Sequence, residues 1–165
     1  MPGQHTLDET ESQVATRLAG MDLDFEAMAV TANLFRAANA ARNHMERTVL
    51  AKSNLTWTAF VVLWVAWIWE QAETREIASE AGVSKATLSG VLTTLERRGL
   101  VNRKRGEHDG RLVTVELTVA GKKLMKGLFP GFNRAERHVT RGLDRAQLPA
   151  MAESLRRITQ AARDQ

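Results

Sequence analysis

Cysteine is absent from all 165 residues. A chain without thiols has no disulfide framework, no thiolate zinc site and no thiol-based redox switch. The histidines, at positions 5, 44, 108 and 138, are isolated from one another, so no ligand-like spacing predicts a metal site. No long hydrophobic run is present either. The most apolar stretch, Ala59 to Trp69, is eleven residues long, against the ~20 a helix needs to span a bilayer. It reads as a buried helix, and no membrane partner is expected. The opening MPGQHTLDETESQ is polar and acidic, unlike a secretory signal. A nucleophile–base pair, a phosphate-binding loop and a cofactor motif are all missing. Glu107, His108 and Asp109 are adjacent, but at a hairpin tip they have no shielded pocket to act in. The sequence predicts neither an enzyme nor a cofactor.

The largest deficit is of net charge outside one short segment. Residues 97–111, RRGLVNRKRGEHDGR, carry six basic and two acidic side chains, a balance of +4, and the whole chain, with 23 basic and 19 acidic residues, is also +4. The other 150 residues therefore sum to zero. An excess confined to one stretch is an electrostatic footprint for a polyanion, and the phosphate backbone of duplex DNA is the best candidate.

Helical periodicity runs from Asp22 to about Ala51, with Met28, Phe35, Ala38, Met45 and Val49 at three- and four-residue steps. A helix of roughly 28 residues, ~42 Å long, packs beyond a single small core. Residues 1–20 before it read as a loose arm or a short extra helix. Thr56 is placed to cap a helix over Trp57–Glu70 that holds all four tryptophans. Ile77, Ala78 and Ala81 make a short amphipathic helix that Gly82 ends, and Ser84 caps the next, whose Leu88, Val91, Leu92 and Leu95 form one apolar stripe. Gly99 closes it. The basic run and the alternating Val113, Val115 and Leu117 then predict a β-hairpin with a charged tip. Thr118 caps a helix through Leu128, Pro130-Gly131 kinks or breaks it, and helical pattern returns over Phe132–Arg141 and Arg145–Ala162.

This order is that of a winged helix. The fold class is mainly α with a small β-hairpin wing: a winged helix-turn-helix over residues 55–118, flanked by N- and C-terminal dimerisation helices in 21–54 and 119–165, with 1–20 as a polar extension. The second helix of the motif is expected in the major groove of DNA. Opposite its leucine stripe lie Ala86, Gly90, Thr93 and Arg97, flanked by Ser89 and Thr94, with Ser84, Lys85 and Thr87 at its start. Small residues let a backbone approach base edges, and hydroxyls reach bases or phosphates. A solvated face of a surface helix has the same composition, and the adjoining basic hairpin favours DNA. In that hairpin Arg103, Lys104 and Arg105 are expected to supply sequence-blind affinity. Arg111 is expected to reach into a narrow minor groove, with Asp109 holding its guanidinium.

Three stretches give the chain a resemblance to a family. They are Glu76-Ile77-Ala78 with Val83-Ser84; the run Leu92–Val101, LTTLERRGLV; and Asp109-Gly110-Arg111 followed by Val115-Glu116-Leu117-Thr118 and Gly121. Over about residues 25–162 the sequence resembles the MarR (multiple antibiotic resistance regulator) family of bacterial winged-helix transcription factors. The resemblance implies a dimer built from the first helix and the last two, two winged helices on a pseudo-palindromic operator, and a cytoplasmic protein, nucleoid-associated when bound. The family's wing arginine maps onto Arg111 and its aspartate partner onto Asp109. The family also implies small aromatic ligands held between the dimer helices and the winged helix. Trp57, Phe60, Trp64 and Trp67 share one side of their helix, and His44 and Met45 are placed to face them. These six are either an aromatic-lined cavity with a polar anchor or simply core. The leading expectation is a homodimeric transcriptional regulator, a repressor, with double-stranded DNA and a second copy of itself as partners, released from the operator by a small aromatic or apolar ligand. The alternative is a winged-helix module for protein or RNA contact.

Overall fold

A computed structural model describes residues 5–105 and 113–164. The chain divides into two compact units, Met1–Arg42 and Asn43–Gln165. In the first unit α1 (Leu7–Arg17) opens on a reciprocal cap: the Thr6 hydroxyl accepts from the Glu9 amide, and the Glu9 carboxylate accepts from the Thr6 amide at 2.7 Å. The loose arm or short helix expected here is thus a helix. α2 (Phe25–Thr48) starts after Asp24, whose carboxylate accepts from the Ala27 amide at 2.9 Å. Glu11 of α1 accepts a 2.6 Å bond from the Asn33 amide of α2. On α2, Val30 and Phe35 lie exposed to solvent.

In the second unit a 3₁₀ turn, Leu50–Ser53, replaces the last turn of the long helix expected to reach Ala51. α3 (Trp57–Ile68) is capped by the Thr56 hydroxyl, as its sequence predicts. It stops short of Glu70, whose backbone turns left-handed at φ 59°. There follow β1 (Ala72–Glu73), α4 (Thr74–Ala81), α5 (Lys85–Arg97), β2 (Val101–Arg105), β3 (Val113–Leu117), α6 (Val119–Val139), a 3₁₀ turn over Arg145–Gln147, and α7 (Leu148–Arg163). The strands form one antiparallel sheet in the order β1-β3-β2. β1 has no counterpart in the sequence pattern, because two residues carry no periodicity. It pairs Ala72 with Val115 and Glu73 with Thr114.

Gly82 ends α4 at φ 61°, a left-handed conformation that costs glycine nothing and lets Val83 bond back to the Ala78 carbonyl. α5 can therefore turn its leucines inward. The core of this unit closes around Leu63 of α3, Ile77 of α4, Leu88, Leu92 and Leu95 of α5, Val101 and Val115 of the sheet, and Met125 of α6, all essentially inaccessible to solvent.

Of the kink or break expected at Pro130-Gly131, the break does not occur. α6 runs unbroken from Val119 to Val139 with Pro130 inside it. An internal proline removes one helical hydrogen bond, at a cost of about 3 kcal/mol. Met125 and Leu128 before it, and Phe132 and Ala135 after it, are all buried, so packing on both sides holds the axis together. α7 differs in kind: none of its residues is buried, and Met151, Leu155 and Ile158 are exposed. Among the described residues no helix is long and apolar enough to cross a membrane.

The join between β3 and α6 explains the glycine of the Leu-Thr signature. The Thr118 hydroxyl donates to the Gly99 carbonyl at 2.6 Å and accepts from the Gly121 amide at 3.0 Å. That clasp brings the Leu100 carbonyl so close that a Cβ on Gly121 would lie 2.1 Å from its oxygen. Backbone cannot yield there without opening the clasp. Gly121→Ala is expected to destabilise the fold by about 1–3 kcal/mol or more, read as a lower urea midpoint with an unchanged slope.

Candidate nucleic-acid interface

α5 is held by both its ends and its inner face. Ser84 caps the first turn, accepting from the Thr87 amide at 3.1 Å, and Leu88, Leu92 and Leu95 are buried to 1–2% exposure. This burial turns Lys85, Ala86, Thr87, Ser89, Gly90, Thr93 and Arg97 to solvent, and all are exposed along with the cap Ser84. The face selected from sequence is thus brought together as one surface. A Cβ on Gly90 would meet nothing within 4 Å, so packing within the chain does not require glycine there. Mid-helix glycine costs roughly 0.5–1 kcal/mol relative to alanine, and an open backbone is what it leaves. The Thr93 and Thr94 hydroxyls donate to the Ser89 and Gly90 carbonyls.

The three cations of β2 do not act alike. Strand alternation sends Arg103 and Arg105 to one side and Lys104 to the other. Arg103 reaches α5, where its Nε donates to a Glu96 carboxylate oxygen at 2.8 Å, its Nη2 bonds the same oxygen, and its backbone amide takes the other oxygen at 3.2 Å. The same Nη2 lies 3.5 Å from the Thr93 hydroxyl. Lys104, on the opposite side, pairs with Glu116 of β3 at 2.8 Å. The expectation of sequence-blind affinity from both residues takes no account of these carboxylates. The Lys104–Glu116 pair was recoverable: with Val101 opposite Leu117 and Lys104 opposite Thr114, Glu116 is its diagonal neighbour. Glu96, seven residues from Arg103 and on another element, gave no such signal. Arg105 is exposed at the end of β2. Asp109 and Arg111 lie outside the described residues.

Arg98 leaves this face altogether. Its guanidinium donates to the Ser53 and Asn54 carbonyls, each at 2.8 Å, tying the end of α5 to the turn before α3.

The residues proposed from sequence for a ligand separate into two places. Trp57, Phe60, Trp64 and Trp67 build an aromatic stack with Phe129 and Phe132 of α6, the Phe60–Phe132 centroids being 4.2 Å apart and Trp64–Phe129 4.9 Å. Phe60 and Met45 are buried core. His44 alone of the six lines an open groove of about 860 Å³ between the end of α2, the Leu50–Ser53 turn and α6. There its ring stacks on that of His138 at 4.7 Å and 5°. Arg141 Nη1 lies 3.2 Å from both His138 ring nitrogens. The Arg141 charge, then burial, then His44 hold the His138 imidazole below its usual pKa. Lys52, Lys123 and Arg134 also line the groove, and none of its described lining residues is acidic.

The Arg103 guanidinium, through its side-chain hydrogen bond above all, holds the Glu96 carboxyl below the ordinary glutamate value of 4.5. A carboxyl whose pKa falls on folding adds stability that is complete above its unfolded value and disappears as pH drops through its folded value. The contact between α5 and β2 should therefore weaken only below about pH 4.5. Urea midpoints measured from pH 6 downward should fall less steeply in Glu96→Gln than in the parent protein, and coincident curves would remove Glu96 from the acid limb.

Comparison with known proteins agrees with this architecture. A family model described as the MarR family matches residues 55–113. An uncharacterised helix-turn-helix transcriptional regulator of Bacillus subtilis (strain 168), YwaE, is 37% identical over 136 residues, covering 82% of this chain and 80% of that one. Among solved structures, BpsR of Bordetella bronchiseptica, described for the regulation of its DNA binding by 6-hydroxynicotinic acid, is 26% identical with a TM-score of 0.72, covering 79% of this chain and 98% of that one. A mutant of MarR from E. coli in complex with operator DNA, 19% identical, shares the fold at a TM-score of 0.72 over 84% of this chain and 99% of that one. The winged helix with its exposed α5, the sequence signature around it and the extent of these matches agree: the chain belongs to the MarR family of DNA-binding transcriptional regulators.

Proposed function

We propose that this protein is a homodimeric repressor that binds a pseudo-palindromic operator through α5 and the wing and is released by a small aromatic anion. The observation that carries the DNA reading is α5 itself: three buried leucines on one side and a continuous exposed face of small, hydroxylated and cationic residues on the other. Ser84, Lys85, Ala86, Thr87, Ser89, Gly90, Thr93 and Arg97 meet the major groove. Arg111, positioned by Asp109, meets the minor groove, and Arg105 meets phosphate. The protein works in the bacterial cytoplasm, on the nucleoid when bound.

The dimer reading rests on α7. A helix with apolar residues at 151, 155 and 158 on one face, and none of them buried in the monomer, needs a partner surface. A second copy supplies it, and two α5 helices then address half-sites one helical turn apart. The test uses a duplex selected from a random library by the parent protein. Arg111→Ala should lose tight binding to it while remaining dimeric in sedimentation. Leu155→Asp should sediment as a monomer and bind weakly. Parent affinity should fall steeply with salt. Arg111→Ala binding like the parent would overturn the wing assignment, and a salt-indifferent affinity would favour the protein- or RNA-binding alternative.

The ligand reading moves from the tryptophan stack to the groove beside it. The stack is filled by Phe129 and Phe132, whereas the groove offers stacked imidazoles for an aromatic ring and Lys52, Lys123 and Arg134 for an anion. Among simple aromatic acids, a binder should raise the melting temperature by mass action. The shift should be lost in Arg134→Gln.

A further inference from the structure

We propose that Glu96 is a specificity-determining residue: it converts Arg103 from a free countercharge into a fixed donor beside the recognition face. This rests on the reading that α5 lies in the major groove. A loose arginine on a wing strand adds affinity for any duplex, since phosphate attraction is blind to sequence. Arg103 is not loose. Its Nε and Nη2 and its backbone amide all bond the Glu96 carboxylate, which fixes the plane of the guanidinium. Nη2 is left 3.5 Å from the Thr93 hydroxyl, on the exposed face of α5. Arg103 also lines a shallow cleft with Lys85, Ala86 and Ser89 of the same helix.

Two consequences follow from the pairing. The carboxylate cancels the Arg103 charge toward distant phosphates, so non-operator binding is held down. The clamp also orders a long side chain next to Thr93 before DNA arrives, so its outward N–H groups are offered in a single geometry. A guanidinium presented this way discriminates between base edges or phosphate positions, whereas a mobile one does not. Lys104 is likewise matched by Glu116 on the other side of the strand, so two of the three β2 cations face a carboxylate. Glu96 touches no base in this scheme. It acts through Arg103, as a positioning residue.

The experiment measures affinity for the library-selected duplex and for a scrambled duplex across a salt series. Glu96→Gln keeps the shape of the clamp and one acceptor oxygen but frees the arginine charge. Scrambled-duplex binding should then strengthen, its log–log salt slope should steepen by about 0.9 per protomer, and the selected-to-scrambled affinity ratio should fall roughly tenfold. Arg103→Gln should lower the ratio too but leave the slope no steeper than in the parent. The double variant, with both charges gone, should return the slope to the parent value. A purely structural clamp would make Glu96→Gln weaken both duplexes together with no change in slope or ratio, and that result would overturn the proposal. An unchanged Glu96→Gln would overturn it equally. Failure of the parent to select any duplex would instead remove the DNA reading on which the proposal stands.

Discussion

The whole exposed face of α5 depends on the burial of one stripe of leucines. Leu88, Leu92 and Leu95 are sealed against the sheet and neighbouring helices. A side chain of this size gains about 1.5–3 kcal/mol on full burial, so turning α5 about its axis to present any other face would forfeit several such terms at once. The exposed face is therefore not chosen by its own residues. Ala86, Gly90 and Thr93 are outside because the leucines are inside, and the core sets the direction of the face they form.

Charge at this surface is organised by pairing. The segment that gives the chain its whole net charge contains two cations already matched with carboxylates and one, Arg98, spent on backbone carbonyls. What a count along the sequence presents as a uniform basic patch is a set of side chains with different partners and different freedom. Exposed pairs of this kind contribute little to stability, typically under about 1 kcal/mol. Their effect is on direction and availability.

Much of the fold was legible because it is written in local chemistry. Thr56, Ser84 and Thr118 are caps in the structure as in the sequence, Gly82 and Gly99 take positive φ at the helix ends they mark, and the stripes of α5 and β3 fall where periodicity places them. The misreadings are all non-local. Pro130 signals a kink or a break, and packing on both sides overrides the break. β1 is too short to show a pattern and exists because β3 has an edge to offer it. The four aromatic residues of α3 gave no indication that Phe129 and Phe132 would fill the space beside them, and Glu96 could not be matched to Arg103 without knowing how β2 meets α5. At the candidate interface, the exposed face of α5 and the Lys104–Glu116 diagonal are legible in the sequence, whereas the partner of Arg103 is not.

Ser53 has two neighbours at once. It forms part of the wall of the groove that holds the stacked histidines, and its carbonyl receives the Arg98 guanidinium from the end of α5. Arg98 follows directly on the last residue of that helix. The groove and α5 therefore meet at a single hydrogen-bonded joint. A displacement of that turn by an ångström has to be taken up by the Arg98 side chain, passed on to the helix terminus, or met by breaking the joint.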